Sequence, residues 1–300
     1  MAERDADQEK QGFKPPKNIP PPSSRALQMV VNRYAEFHGV APNRVQRWIA
    51  FMALGAALRT VTGEDGAPVF MIKGGVSLEM RLRLKARATK DFDATFSGEM
   101  EVVIDALERA FAEHYEGFAF RIAGKPWTMK HMHRFEIKVE YRGRVWSSVT
   151  MEISRYEGTP MPAEEVEAIS LADFGLRGPR TLPCMPLIKQ VAQKIHAMTE
   201  VLADDRPNER FRDLVDLWVL RGIVLPSSEL REVCEETFRI RRRQPWPPEI
   251  AIYPAWPAAF AALAQDLDLP VTDIEVAAAD VREYLALISA AFADTRSVGT

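Results

Sequence analysis

Two aspartates stand two residues apart in Lys90-Asp91-Phe92-Asp93-Ala94. On a strand, residues i and i+2 share a face, so both carboxylates project one way while Phe92, Ala94 and Phe96 turn towards a core. Their Cα atoms are then roughly 7 Å apart. Two carboxylates so placed can chelate one Mg²⁺ or Mn²⁺, or bridge two, with nucleotide phosphates completing the shell. An isolated D-x-D is more often a solvated strand face. The run just upstream changes that weighting: Phe70-Met71-Ile72-Lys73-Gly74-Gly75-Val76-Ser77-Leu78. An apolar strand enters a Gly74-Gly75 turn, and Ser77 opens a helix. Glycine lets backbone N–H groups approach a phosphate, and Ser77 can bond a phosphate oxygen near a helix start. Lys73 precedes the glycines, so this is not a Walker A loop, whose lysine follows them.

A third carboxylate is available in Val149-Thr150-Met151-Glu152-Ile153-Ser154. Val149, Met151 and Ile153 form one apolar face, and Glu152 lies on the other. If this strand sits beside the D-x-D strand, Glu152 completes a metal triad.

Two helical stretches carry the remaining candidates. On a wheel of about 100° per residue, Lys194 falls at the edge of an apolar arc of Leu187, Ile188, Val191, Ile195 and Met198. A lysine leaning into such an arc either snorkels or meets an anion, so Lys194 is a candidate phosphate ligand. Lys189 falls on the opposite side and reads as solvated. In the stretch from Phe211 to Leu220, Arg212, Asp213 and Asp216 form a narrow polar stripe on an otherwise apolar helix. Such a stripe faces a polar cavity or a paired network; an internal Arg–Asp salt bridge is the plainer possibility.

The elements needed to position these residues follow from local patterning. Residues 1–22 are polar and proline-rich, and read as a flexible tail. Ser23 or Ser24 caps a first helix and Asn43 a second. Strands and helices then mix up to about residue 180, with a hairpin turn at Arg142-Gly143-Arg144, giving an α+β domain over 23–180 with a mixed sheet flanked by helices. From about Pro183 the strand patterns stop and helical ones follow, so 181–300 is read as a helical C-terminal domain.

Composition excludes several classes. At 47% hydrophobic and 27% charged residues, the 300-residue chain is ordinary for a globular protein. Its formal net charge of -3 rules out a globally basic nucleic-acid binder, so RNA contact needs a local patch. Cys184 and Cys234 have no metal-ligand spacing and fit a reducing cytoplasm. No apolar run approaches the roughly 20 residues of a membrane span. The densest basic cluster is Arg239, Arg241, Arg242 and Arg243, followed by Trp246, a combination able to hold phosphates and stack bases, or simply to end a solvated helix. A second basic run comprises Arg81, Arg83, Lys85, Arg87 and Lys90.

Together these residues resemble the AbiEii/AbiGii-type nucleotidyltransferase toxins, the group that includes the MenT toxins. The resemblance rests on four ordered motifs spanning about residues 25–260. K-G-G-x-[ST]-L is met by Lys73 to Leu78, and D-x-D by Asp91 and Asp93. I-x-x-K-x-x-A is met by Val191, Lys194 and Ala197, with valine for isoleucine. R-D-x-x-D is met by Arg212, Asp213 and Asp216. The stretch between Gly75 and Asp91 is long for the wider polymerase-β-like superfamily.

The resemblance implies a polymerase-β-like nucleotidyltransferase core followed by a helical domain. It implies transfer of NMP from an NTP, with Mg²⁺ as cofactor, to an acceptor hydroxyl such as the tRNA 3′ end, inhibiting translation. An antitoxin encoded nearby is the implied partner. Asp91, Asp93, Lys194 and Asp213 are then the catalytic candidates. Lys73, Gly74, Gly75, Ser77, Lys194 and Asp216 are candidates for nucleotide binding, with Asp91, Asp93 and Glu152 for metal. Competing readings are a protein or small-molecule acceptor, a nucleotide- or RNA-binding module without catalysis, and a glycosyltransferase of the D-x-D type, which the upstream Lys-Gly-Gly-x-Ser disfavours.

Overall fold

The computed structural model describes residues 19–129, 132–202 and 206–292. In chain order the elements are α1 (Ser24–His38), α2 (Pro42–Arg59), β1 (Phe70–Lys73), α3 (Gly74–Leu82), β2 (Asp91–Phe96), α4 (Val103–Phe111), β3 (Phe118–Met129), β4 (Met132–Tyr141), β5 (Arg144–Arg155), β6 (Glu164–Glu167) and β7 (Thr181–Cys184). Five helices follow: α5 (Leu187–Thr199), α6 (Phe211–Leu220), α7 (Ser228–Arg241), α8 (Trp256–Asp266) and α9 (Ile274–Ala290). The chain is α+β, with a seven-stranded mixed sheet ordered β3-β4-β5-β2-β1-β7-β6.

The chain gathers into two compact units. Of the described residues, one unit holds those up to Ile72, together with those of Ala88–Ser154 and Glu165–Pro183; the other holds those of Lys73–Arg87, Arg155–Glu164 and from Cys184 onward. The expected single cut at 180/181 therefore misses two exchanges. The Gly-Gly segment with α3, and the loop after β5, group with the helices.

In the sheet unit, strands alternate as their sequences dictate. Phe135, Ile137, Val139 and Tyr141 of β4 are buried, as are Val149, Met151 and Ile153 of β5. The hairpin between them turns on two residues, Arg142 (φ 49°) and Gly143 (φ 75°), with Tyr141 opposite Arg144. Both central residues are left-handed, the arrangement that matches strand twist. Helix α2 is buried along most of its length because Trp48 to Leu58 is nearly all apolar. Gly55 permits its close approach: a Cβ there would sit 2.8 Å from Leu182 Cδ1 and 3.0 Å from Ile72 Cδ1.

Helix ends largely follow the chemistry of their caps. Ser23 Oγ accepts from Ala26 N at 3.2 Å to start α1, which ends at Gly39 (φ 64°). Asn43 does not cap α2. Pro42 takes the first helical position, where its missing N–H costs nothing, and Asn43 lies inside the first turn. Of the expected tail, residues 1–18 lie outside the described residues. Its last part is fastened: Pro21 is buried, and its carbonyl accepts from Tyr141 Oη at 2.8 Å and Arg142 Nε at 2.9 Å.

In the helical unit, Leu78 of α3 joins Val191, Ile195, Leu214, Leu217, Phe238, Trp256, Phe260 and Val281 in one apolar cluster. Among the described residues, no helix is long and apolar enough to cross a membrane.

Candidate functional site

In the sheet unit, β2 carries the D-x-D pair as its period of two requires. Phe92 is fully buried, Asp91 is exposed and Asp93 half-buried, so both carboxylates lie on the face away from the core. The Thr89 hydroxyl donates to the Asp91 carbonyl at 3.2 Å, tying down the strand's entry. Strand β5 does lie beside β2. Glu152, however, is engaged by its cross-strand neighbour on β4: Arg134 Nε donates to Glu152 Oε1 at 2.8 Å, and Nη2 joins it. Among the described residues, no group of three or more His, Cys, Asp or Glu is arranged to hold a metal ion. The expected triad is thus reduced to the two aspartates. Their hard oxygen donors, side by side on a rigid strand, fit a divalent cation that takes its other ligands from phosphate and water.

In the helical unit, α3 starts earlier than its sequence suggests. Gly74 (φ 61°) is its first residue, Lys73 is the N-cap without a capping side chain, and Ser77 lies in the fourth position rather than opening the helix. The first-turn N–H groups of Gly74 and Gly75 precede any i−4 carbonyl in the helix, which suits an anion. Ser77 is fully buried, and its Oγ accepts from Gln190 Nε2 at 2.9 Å. Gln190 also donates to Met185 O at 2.9 Å.

One turn beyond Gln190 on α5 comes Lys194, so the two share a helical face. Lys194 does not snorkel. It is 8% exposed, and Nζ lies 2.7 Å from Asp213 Oδ1 and 2.6 Å from Asp216 Oδ2 on α6. Asp216 is met again by Arg87, with Nη2 3.1 Å from Oδ2, and Arg210 Nη1 stands 3.7 Å from Asp213 Oδ2. Burial by itself lowers the Lys194 pKa, but Asp213 and then Asp216 outweigh it, and the ammonium is held above its ordinary value. Burial raises that of Asp216, but Lys194 and Arg87 outweigh it and hold the carboxyl below the usual range.

The structure thus brings Lys194, Asp213 and Asp216 into one ion-pair cluster, with Ser77 bonded to the same face of α5. Arg212 of the R-D-x-x-D motif is exposed, lying 5.2 Å from the Phe211 ring centroid. Sequence reasoning missed Gln190 and the pairing of Arg87 with Asp216. The i−4 spacing of Gln190 from Lys194 was the available signal for the first. For Arg87, its place in the basic run before Asp91 was a hint, without a partner.

Lys189 overturns the expectation of a solvated residue. It is 2% exposed, and Nζ lies 2.8 Å from Glu236 Oε2. Thr159 N and Oγ1 also donate to Glu236 Oε1, at 2.8 and 2.6 Å. A Cβ on Gly158 would fall 2.5 Å from the same carboxylate. Burial raises the Glu236 pKa, but the Lys189 and Thr159 hydrogen bonds outweigh it and bring it down to about 2.

His196 is 1% exposed, and neither ring nitrogen has a hydrogen-bond partner among the described residues. Burial, with Arg241 and Arg243 nearby against Glu157, lowers its pKa to about 4. Both groups have depressed pKa values, so both favour the folded state at higher pH. The His196 contribution is complete above about pH 6.5 and fades towards 4. That of Glu236 is complete above about 4.5 and fades towards 2. Urea-unfolding midpoints are therefore expected to fall from near pH 6.5 downwards. His196→Phe should remove the upper part of that acid limb; an unchanged limb would refute the assignment.

The Arg239–Arg243 cluster is less free than its sequence implies. Arg241 pairs with Glu157 at 2.9 Å, and Arg243 Nε lies 3.5 Å from Glu200; Arg239 and Arg242 are exposed at the end of α7.

Comparison places this fold among known proteins. MenT4, a nucleotidyltransferase toxin from Mycobacterium tuberculosis H37Rv, is similar in fold, with a TM-score of 0.59 at 20% identity over 89% of this chain and 91% of that one. JHP933 from Helicobacter pylori aligns with a TM-score of 0.42 at 13% identity, over 81% of this chain and 89% of the other. No curated protein matches the chain. The family model described as nucleotidyl transferase AbiEii toxin, type IV TA system, matches residues 57–287, which takes in all four motifs: the Gly-Gly segment and the three from Asp91 onward. The chain belongs to the AbiEii family of nucleotidyltransferase toxins.

Proposed function

We propose that this toxin transfers a nucleotidyl group from an NTP to the 3′-terminal hydroxyl of tRNA, and so blocks translation. The observation that carries the chemistry is the pair of carboxylates on the polar face of β2, in a chain of this family. Asp91 and Asp93 would hold Mg²⁺. Bound there, the ion would neutralise charge on the triphosphate and on the departing pyrophosphate.

The chain's own groups supply the rest. The Gly74 and Gly75 N–H groups donate to phosphate oxygens, with Lys73 beside them; Ser77, buried and bonded to Gln190, holds the turn that presents them. Lys194 offers its ammonium to phosphate in exchange with Asp213 and Asp216. The acceptor oxygen attacks the α-phosphorus in line. A new P–O bond forms, the bond to the bridging α–β oxygen breaks, and pyrophosphate leaves. The acceptor proton passes to a carboxylate, for which Asp213 and Glu152 are the candidates. Positioning and charge neutralisation supply most of the acceleration. An antitoxin encoded beside the gene counteracts this activity in the cell.

The test is incubation of purified protein with Mg²⁺, each labelled NTP in turn, and total tRNA, with an EDTA control. Label in tRNA that depends on Mg²⁺ is the expected result, and it names the nucleotide. Label in protein instead would replace tRNA by a protein acceptor. No label with any NTP would overturn the reading.

A further inference from the structure

We propose that Glu164 is a positioning residue for nucleotide binding: with Arg81 it clamps α3 to the first turn of α5, and so sets where the Gly74-Gly75 turn stands relative to Lys194. This rests on the nucleotidyl-transfer reading above and names what holds its phosphate grip in shape. Glu164 is the first residue of β6 and groups with the helical unit, as do α3 and α5. Its two carboxylate oxygens meet two different helices. Oε1 accepts from Leu187 N, at the start of α5, at 3.1 Å, and Oε2 pairs with Arg81 Nη2 on α3. Pro186, which precedes Leu187, makes no side-chain cap. The free N–H at the start of α5 is therefore met from outside, by a negative charge at the positive end of the helix dipole.

Arg81 carries the contacts on. Its Nε stands 3.5 Å from Ser77 Oγ, one turn back on α3, and the same Oγ accepts from Gln190 Nε2 at 2.9 Å. Gln190 lies one turn after Leu187 on α5. The contacts thus close a ring, from Glu164 through Arg81, Ser77, Gln190 and Leu187 back to Glu164. It fixes the register of α3 against α5. Gly74 lies one turn before Ser77, and Lys194 one turn beyond Gln190. The groups proposed to grip one triphosphate from two helices are therefore each one turn from this ring.

Magnitudes separate positioning from stability. The Arg81 and Glu164 side chains are 18% and 41% exposed, a setting in which an ion pair adds little to folding. Alignment is more sensitive: groups that converge on one ligand lose roughly ten- to a hundredfold when displaced by about 1 Å.

The test is equilibrium dialysis of the full chain against each labelled NTP in turn, with Mg²⁺ and without tRNA, read as Kd and as the number of sites. Arg81→Ala and Glu164→Ala should each raise Kd by about tenfold with the number of sites unchanged. The double variant should bind no more weakly than either single one, because all three open the same ring. Misfolding would instead lower the number of sites. A wild-type Kd in both single variants, a loss of sites at unchanged Kd, or effects that multiply in the double variant would overturn this inference and leave the nucleotidyl-transfer reading intact. Absence of NTP binding by the wild type would overturn both.

Discussion

Replacing Asp91 and Asp93 together by asparagine is expected to lower kcat/KM for nucleotidyl transfer by roughly a thousandfold or more. Several kcal/mol of charge stabilisation are lost with the metal ligands, at about 1.4 kcal/mol per decade of rate. The strand should stay in place, because Phe92, Ala94 and Phe96 anchor it on the other face. The variant should therefore still unfold cooperatively, and toxicity on expression should disappear. The informative measurements are label transfer, Mg²⁺ dependence and the thermal midpoint on the same preparation. Transfer that survived both substitutions would remove this pair from the chemistry. Toxicity that survived without transfer would point to a binding role.

The second large effect concerns Lys194. Among the described residues, Lys194→Met leaves Asp213 buried with only the longer Arg210 contact, and Asp216 with Arg87. Breaking a buried ion pair from one side costs about 3–5 kcal/mol, because the uncompensated charge stays behind. Arg87 should hold the loss to the lower end of that range. Adding Asp213→Asn leaves Asp216 and Arg87 as a balanced pair, and should restore most of the stability without restoring transfer. This cycle separates the two roles of the ammonium. If Lys194→Met destabilises but transfers normally, the lysine is a structural counter-ion. If the double variant stays as unstable as the single one, packing of the lysine stem, not charge, carries the cost.

Local physics made much of this protein legible from residues alone. A strand's alternation is set by the backbone of each residue and its neighbours, so Asp91 and Asp93 had to share a face, as did Val149, Met151 and Ile153. Helical periodicity put Lys194 at the edge of an apolar arc, and the order of the four motifs identified the family. Chain geometry also placed the hairpin at Arg142 and Gly143, where two left-handed residues are needed.

Partners were not legible in the same way. Lys189 lies on what one helix wheel makes a solvent face, yet α7 and the Thr159 loop cover that face and make it an ion pair. Glu152 is free to complete a metal site until Arg134 is found across the hairpin. Asp216 meets Arg87 across 129 residues of sequence. The segment from Lys73 to Arg87 groups with helices that begin more than a hundred residues later. Spacing along the chain determined which way each side chain points, because that depends on steric repulsion between near neighbours. Only the tertiary structure decided which charge it meets, because the gain from an ion pair against the cost of burial depends on which distant element covers the face.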